Sequence, residues 1–202
     1  MYNALITQIS QWPPTVKHEI INTYQHFKRG YRPKISEYPI TKYCDYYIRA
    51  DEEEIVACFG CETYQPTEHQ ILWKTSSISL AQSSATSLQT FNQVYAWCIW
   101  DAFFITQLLA EPAYILTQDI IATMPVSIFF NGQKFSSIPL WFTFPLKNSN
   151  TKTSLRECFC CRTKGFISLE NAEIFAYEKH CEVIDMAEMN KRTEQMVSAL
   201  SL

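Results

Sequence analysis

Apolar residues recur at helical spacing between Thr15 and Phe27, where Val16, Ile20, Ile21, Tyr24 and Phe27 form one stripe behind Pro13-Pro14. A proline pair can open a helix but not continue one, so the pattern predicts a helix over residues 15–27. Beyond Gly30 and Pro33 a second helix is expected over 40–48. A third is expected over 51–61, with Asp51 as N-cap and Glu54 three positions on, the spacing of a capping box. From Gln70 to Thr90 the chain turns to Ser, Thr and alternating apolar residues (Ile71, Trp73, Ile78, Leu80, Leu88), which reads as short strands around a turn. Three helices followed by a hairpin give residues 1–90 the plan of a winged-helix-like N-terminal domain. Its recognition helix would begin Asp51-Glu52-Glu53-Glu54, and carboxylates there repel phosphate, so no nucleic-acid partner is expected.

The second half opens on an almost wholly apolar helix expected over 94–109, interrupted by Asp101, Thr106 and Gln107. It falls short of the roughly 20 apolar residues of a bilayer span and reads as a buried helix. Residues 126–130, Asn131-Gly132 and 133–135 make a strand, a tight turn and its return. Further strands are expected at 140–146, 158–162 and 164–169, and a short helix at 173–180. Asp185 with Glu188 caps a last helix through Leu200. The class is α+β: a mixed α/β catalytic domain over 91–202, with a mainly antiparallel sheet, follows the N-terminal domain.

Composition narrows the functional classes. With 47% hydrophobic residues in 202, the chain can fill an ordinary globular core. The N-terminus lacks the basic and apolar regions of a secretory signal, so a cytoplasmic location is expected. Eight cysteines in such a setting favour reduced thiols over a disulfide framework. A net charge of −3 argues against non-specific binding to nucleic acid. No Gly-rich phosphate loop and no GxSxG element occurs, and the four histidines (His18, His26, His69, His180) neighbour no nucleophile in sequence, so surface or packing roles are expected for them.

Two clusters carry the chemistry, Tyr95-Ala96-Trp97-Cys98-Ile99-Trp100-Asp101 and Glu157-Cys158-Phe159-Cys160-Cys161. Cys98 and Asp101 stand three apart on the expected helix, so their side chains share a face. Trp97, Trp100, Phe103 and Phe104 surround them with apolar surface, which favours the proton-bearing forms of thiol and carboxyl. On the expected strand only one of Cys160 and Cys161 can face a given site, and Cys160 is the one assigned to it. Two facing thiolates without a histidine suit a linear soft ion, mercury or copper(I), better than four-coordinate zinc. A cysteine also commonly fills a core as a small hydrophobe, the expectation for Cys44 and Cys181. Cys58-Phe59-Gly60-Cys61 is a CxxC without a second ligand pair, and Cys158 is a candidate auxiliary thiol.

The string Tyr95-Ala96-Trp97-Cys98-x-x-Asp101, the apolar helix after it, Pro125-Val126-Ser127, and Phe159-Cys160-Cys161 together resemble the organomercurial (alkylmercury) lyases over about residues 93–196. The resemblance implies a cytoplasmic enzyme of bacterial mercury resistance that breaks the carbon–mercury bond to give a hydrocarbon and Hg(II), with no organic cofactor. It implies Cys98 and Cys160 as the mercury-binding thiols, Asp101 as proton shuttle and further mercury ligand, and Cys161 as a neighbour the family does not require. Product would leave to external small thiols or to mercuric reductase. Many members carry another cysteine about twenty residues after the first; here that place falls near Asp119, which implies altered stability rather than lost activity. The competing expectation is a non-catalytic soft-metal chaperone or sensor using the same thiols. Asp101 speaks against it, because sequestration alone needs no proton donor.

Overall fold

Two helices open the chain, α1 (Tyr2–Ser10) and α2 (Pro14–Lys28), the second starting at Pro14 where the missing N–H costs nothing. The computed structural model describes residues 2–37, 48–64, 66–74, 91–146 and 155–201. The expected helix over 40–48 lies outside the described residues except for Ile48, which begins a strand. So does the latter part of the strand-and-turn region expected between Gln70 and Thr90.

The expected third helix does not form. Residues 51–61 belong instead to a hairpin of β1 (Ile48–Asp51) and β2 (Glu54–Cys58), continued by β3 (Cys61–Glu62). Asp51 pairs with Glu54 across a turn in which Glu52 adopts φ 53°, so the carboxylates that suggested a capping box make a tight turn. Ile55, Val56, Ala57 and Cys58 are all buried, a continuous apolar run that suits a covered strand better than a helix with one wet face. The third helix of a winged-helix-like plan is therefore replaced by strand pairing.

Next come β4 (His69–Lys74), β5 (Phe91–Ala96) and helix α3 (Ile99–Leu109), then β6 (Ala113–Asp119) and β7 (Met124–Phe130). The seven strands form one antiparallel sheet in the order β1-β2-β3-β5-β4-β6-β7, which takes strands from both sides of residue 90. Helix α3 is buried nearly all round. The expected helix over 94–109 thus starts later, at Ile99, because Val94 and Ala96 complete a strand paired to β4. The expected return at 133–135 is reduced to a single bridge between Phe130 and Phe135.

Strand β8 (Trp141–Pro145) lies between two later strands in a three-stranded antiparallel sheet. A short helix α4 (Leu155–Cys158) and a 3-10 turn (Cys160–Arg162) replace the strand expected at 158–162. Strand β9 (Gly165–Phe166) is a remnant of the one expected at 164–169, and α5 (Leu169–Lys179), β10 (Cys181–Asp185) and α6 (Met186–Leu200) complete the chain. Asp185 caps α6 as expected, accepting from the Glu188 N–H at 2.9 Å. The class is α+β with an antiparallel sheet. No helix among the described residues is long and apolar enough to cross a membrane.

Asp119, at the end of β6, ties the two sheets together. Its buried carboxylate accepts from the N–H groups of Ile121, Ala122 and Ile167 (2.9, 2.9 and 3.0 Å) and from the Asn171 amide (3.2 Å). Burial opposes its charge, but these donors outweigh burial and hold the carboxyl below its usual range. Asp119→Ala strands four donors and is expected to cost about 3 kcal/mol at pH 7. A depressed carboxyl stabilises the fold above the unfolded pKa of about 3.9 and ceases to do so as pH falls through its lower folded value. The deficit of the variant should accordingly shrink towards pH 3; equal urea midpoints at pH 7 would contradict this role.

Candidate active site

Cys98 is the N-cap of α3, with extended φ −148° and ψ 173°, and Asp101 is the third helical residue. The two meet through cap geometry rather than along a helix face: Asp101 Oδ2 accepts from the Cys98 backbone N–H at 3.0 Å and from its thiol at 3.1 Å. The same oxygen lies 3.5 Å from the Cys160 thiol, which also donates to it. Cys98, Asp101 and Cys160 are 0, 2 and 2% exposed, so bulk water reaches none of them freely. The three ligand atoms lie within 4.8 Å of one another, and they form the one group of three such side chains among the described residues.

Cys160 arrives from a different part of the chain, and the turn carrying it is firmly held. Phe159 is buried beside Trp100, ring centroids 5.3 Å apart. Its carbonyl accepts from the Arg162 N–H and the Thr163 hydroxyl, both at 3.0 Å. The 3-10 turn buries Cys160 and exposes Cys161, so the two face apart as expected although the expected cause, strand alternation, does not hold.

Electrostatics make the trio a proton store. Burial pushes the Asp101 carboxyl up to about 7, against the lowering influence of both thiols, the Cys98 N–H and, at longer range, Arg156. Burial likewise raises the Cys98 thiol to about 11, with the Cys160 hydrogen bond opposing the rise. Cys160 is raised well above an ordinary thiol, first by its hydrogen bond with Cys98 and then by burial. Near neutral pH both thiols therefore hold their protons, while the carboxyl is poised to accept or give one.

Three supporting groups escaped the sequence reading. Gly60, inside the CxxC, turns β2 into β3 at φ 85°, and its carbonyl accepts from the Trp97 N–H at 2.8 Å. A Cβ there would stand 3.1 Å from Phe104 Cζ and 3.2 Å from Asp101 Cγ. Gly60→Ala should therefore lower stability by about 1 kcal/mol through its left-handed φ alone and slow turnover about 10-fold by displacing Asp101. Thermal melts beside initial rates check both; a variant matching wild type in rate would show that this close approach is unimportant. The second and third groups are Glu62 and Arg156. The fully buried Glu62 carboxylate pairs with Arg156 at 2.8 Å and Arg49 at 3.2 Å, and the Arg156 guanidinium also lies over the Trp97 ring at 5.7 Å. Arg156 thus links the segment before Cys160 to the strand end before Cys98. The glycine was the one signal in sequence; the ion pair spans 94 positions and carried none.

Cys58 and Cys61 face each other across the β2–β3 turn, both buried, with thiols raised by burial, and not on a helix as expected. Cys181 is a core thiol directed at the Lys179 and Arg162 carbonyls, at 3.5 and 3.6 Å. Cys158 is buried but falls outside the three-residue group, and Cys44 lies outside the described residues. His69 is buried; His18, His26 and His180 contribute nothing to the trio.

Comparison with known proteins bears on this arrangement. A family model described as alkylmercury lyase (MerB) matches residues 83–197. No curated protein matches significantly. Among solved structures, one described as the crystal structure of the mercury-bound form of MerB2 superposes with a TM-score of 0.69, covering 99% of this chain and 97% of the other at 14% identity. At that identity the likeness is one of fold.

Proposed function

This chain belongs to the alkylmercury lyase family, and we propose that it releases the organic group of an organomercurial by protonolysis, with Cys98 and Cys160 as the mercury-holding thiols and Asp101 as the proton shuttle. The observation that carries the proposal is the single carboxylate oxygen within 3.1 and 3.5 Å of two buried thiols. Taking the ~2.3 Å of a zinc–thiolate bond as a scale, two thiolates on opposite sides of one ion stand about 4.6 Å apart. The ligand atoms lie within 4.8 Å of one another, so the two sulfurs are held no farther apart than about that span.

In the proposed sequence one thiol gives up its proton and its sulfur displaces the ligand opposite the carbon, that ligand leaving with the proton. Asp101 takes the proton of the second thiol, whose sulfur then joins the metal and raises electron density on the carbon. Asp101 returns that proton to the carbon as the carbon–mercury bond breaks. The balance is one organomercurial and two thiols giving one hydrocarbon, one protonated leaving ligand and Hg(II) on two sulfurs. External small thiols, or a mercuric reductase, would then accept the metal. Reduced thiols suit a reducing compartment such as the cytoplasm.

Phenylmercury mixed with reduced protein and excess thiol should give benzene, measured by headspace gas chromatography beside a Cys98→Ser control. Tight mercury binding with no benzene would instead favour a chaperone or sensor.

A further inference from the structure

A cleft of about 440 Å³ opens beside the buried trio, with Thr67, His69, Trp97, Arg156, Cys161 and Lys164 among its walls. Trp97 precedes Cys98 and Cys161 follows Cys160, so the cleft is bordered by the immediate neighbours of both thiols. Cys161 is exposed there. His69 is 1% exposed, and its Nδ1 is paired with Thr117 Oγ1 at 2.8 Å. Its Nε2 has no hydrogen-bond partner among the described residues. Glu68 Oε2, which also lines the cleft, lies 3.8 Å from it and beyond hydrogen-bond reach. Leaving a buried polar nitrogen unpaired costs free energy, and such a group invites a functional explanation.

We propose that Cys161 and His69 form a second soft-ion subsite in this cleft, which receives Hg(II) from the buried thiols before an external thiol removes it. This rests on the proposed reaction for the source of the ion. A thiolate and a neutral imidazole are both suitable donors for a soft ion of low coordination number. In the tautomer whose Nδ1–H donates to Thr117, Nε2 presents a bare lone pair, the form that binds metal. Burial and the nearby Lys164 keep the ring neutral by pushing its pKa down to about 3. The transfer is a ligand exchange without redox change. Cys161 sulfur bonds to mercury as the Cys98–mercury bond breaks, and the proton from Cys161 goes to Cys98. His69 Nε2 then replaces Cys160, which takes a proton from solvent.

The test uses wild-type protein with ¹⁵N-labelled histidine, titrated with mercuric chloride in the absence of competing thiol. The first equivalent should protect Cys98 and Cys160 from alkylation, read by mass spectrometry. The second should shift the His69 Nε2 resonance. In Cys161→Ser, an exposed position whose replacement spares the core, the shift should vanish and the stoichiometry fall from two to one. A His69 resonance that stays still through two equivalents, or that moves equally in Cys161→Ser, overturns the subsite. Failure of the first equivalent to protect the buried thiols would instead count against the proposed reaction, and the two failures are read on different residues.

Discussion

Asp101→Ala is expected to retain organomercurial capture and to lose hydrocarbon release by about 10³-fold or more, the scale of a general acid with no substitute in a closed site. The first thiol would still pass its proton to the departing ligand and capture the metal, but the second would have no base to take its proton and the carbon no acid to supply one. Wild-type protein should also show the carboxyl's titration. Asp101 must be ionised in the free enzyme to accept a thiol proton, and burial raises its pKa to about 7. Below that pH the carboxyl is already occupied, so kcat/KM should fall about tenfold per pH unit under pH 7 and level off above it. A limb near pH 4, the range of an ordinary carboxyl, would mean that burial does not tune Asp101; normal cleavage by Asp101→Ala would remove it from the reaction.

Cys160→Ser should be nearly as damaging for a different reason. A hydroxyl is a poor ligand for a soft ion, so substrate would be held through Cys98 alone and the second sulfur that activates the carbon would be missing. The expected result is a fall in hydrocarbon release of at least about 10²-fold, with native mass spectrometry showing a one-thiol adduct still carrying its organic group. Because Cys160 is 2% exposed and nearly isosteric with serine, circular dichroism should show an intact fold. Undiminished cleavage would shift the second thiol to another residue. The two variants thus separate proton supply from metal loading.

The site was more legible in the sequence than the scaffold. The Cys98-x-x-Asp101 spacing brings the groups together whether Cys98 sits inside a helix or caps it, so the error over where α3 begins left the pair intact. Cys160 was assigned to the site as a second thiol and the family resemblance implied the same, but no local pattern specifies a contact 59 residues away. The Asp51 to Glu54 pattern misled because a capping box and a tight strand turn draw on the same residue types; the buried run from Ile55 to Cys58 was the better guide. The segment at 158–162 looked like a strand because of its apolar and aromatic residues, but its burial comes from packing a turn under Trp100. Strand β6 buries every other residue, but its sequence runs apolar over Ala113–Leu116 and polar over Thr117–Asp119, so no period-two pattern of residue types marked it as a strand. Asp119 lies near the place where many relatives were expected to carry a cysteine, and its four hydrogen bonds, made to partners both near and far in the chain, carried no signal in the sequence.

The most direct test of the central claim is a single turnover of phenylmercury in D₂O with protein in excess, analysing the released hydrocarbon by mass spectrometry and the protein for bound metal. Proton transfer from exchangeable thiols and carboxyl predicts benzene carrying one deuterium, released one for one with Hg(II) retained on Cys98 and Cys160. Intact phenylmercury bound to the protein, or benzene without deuterium, would contradict it.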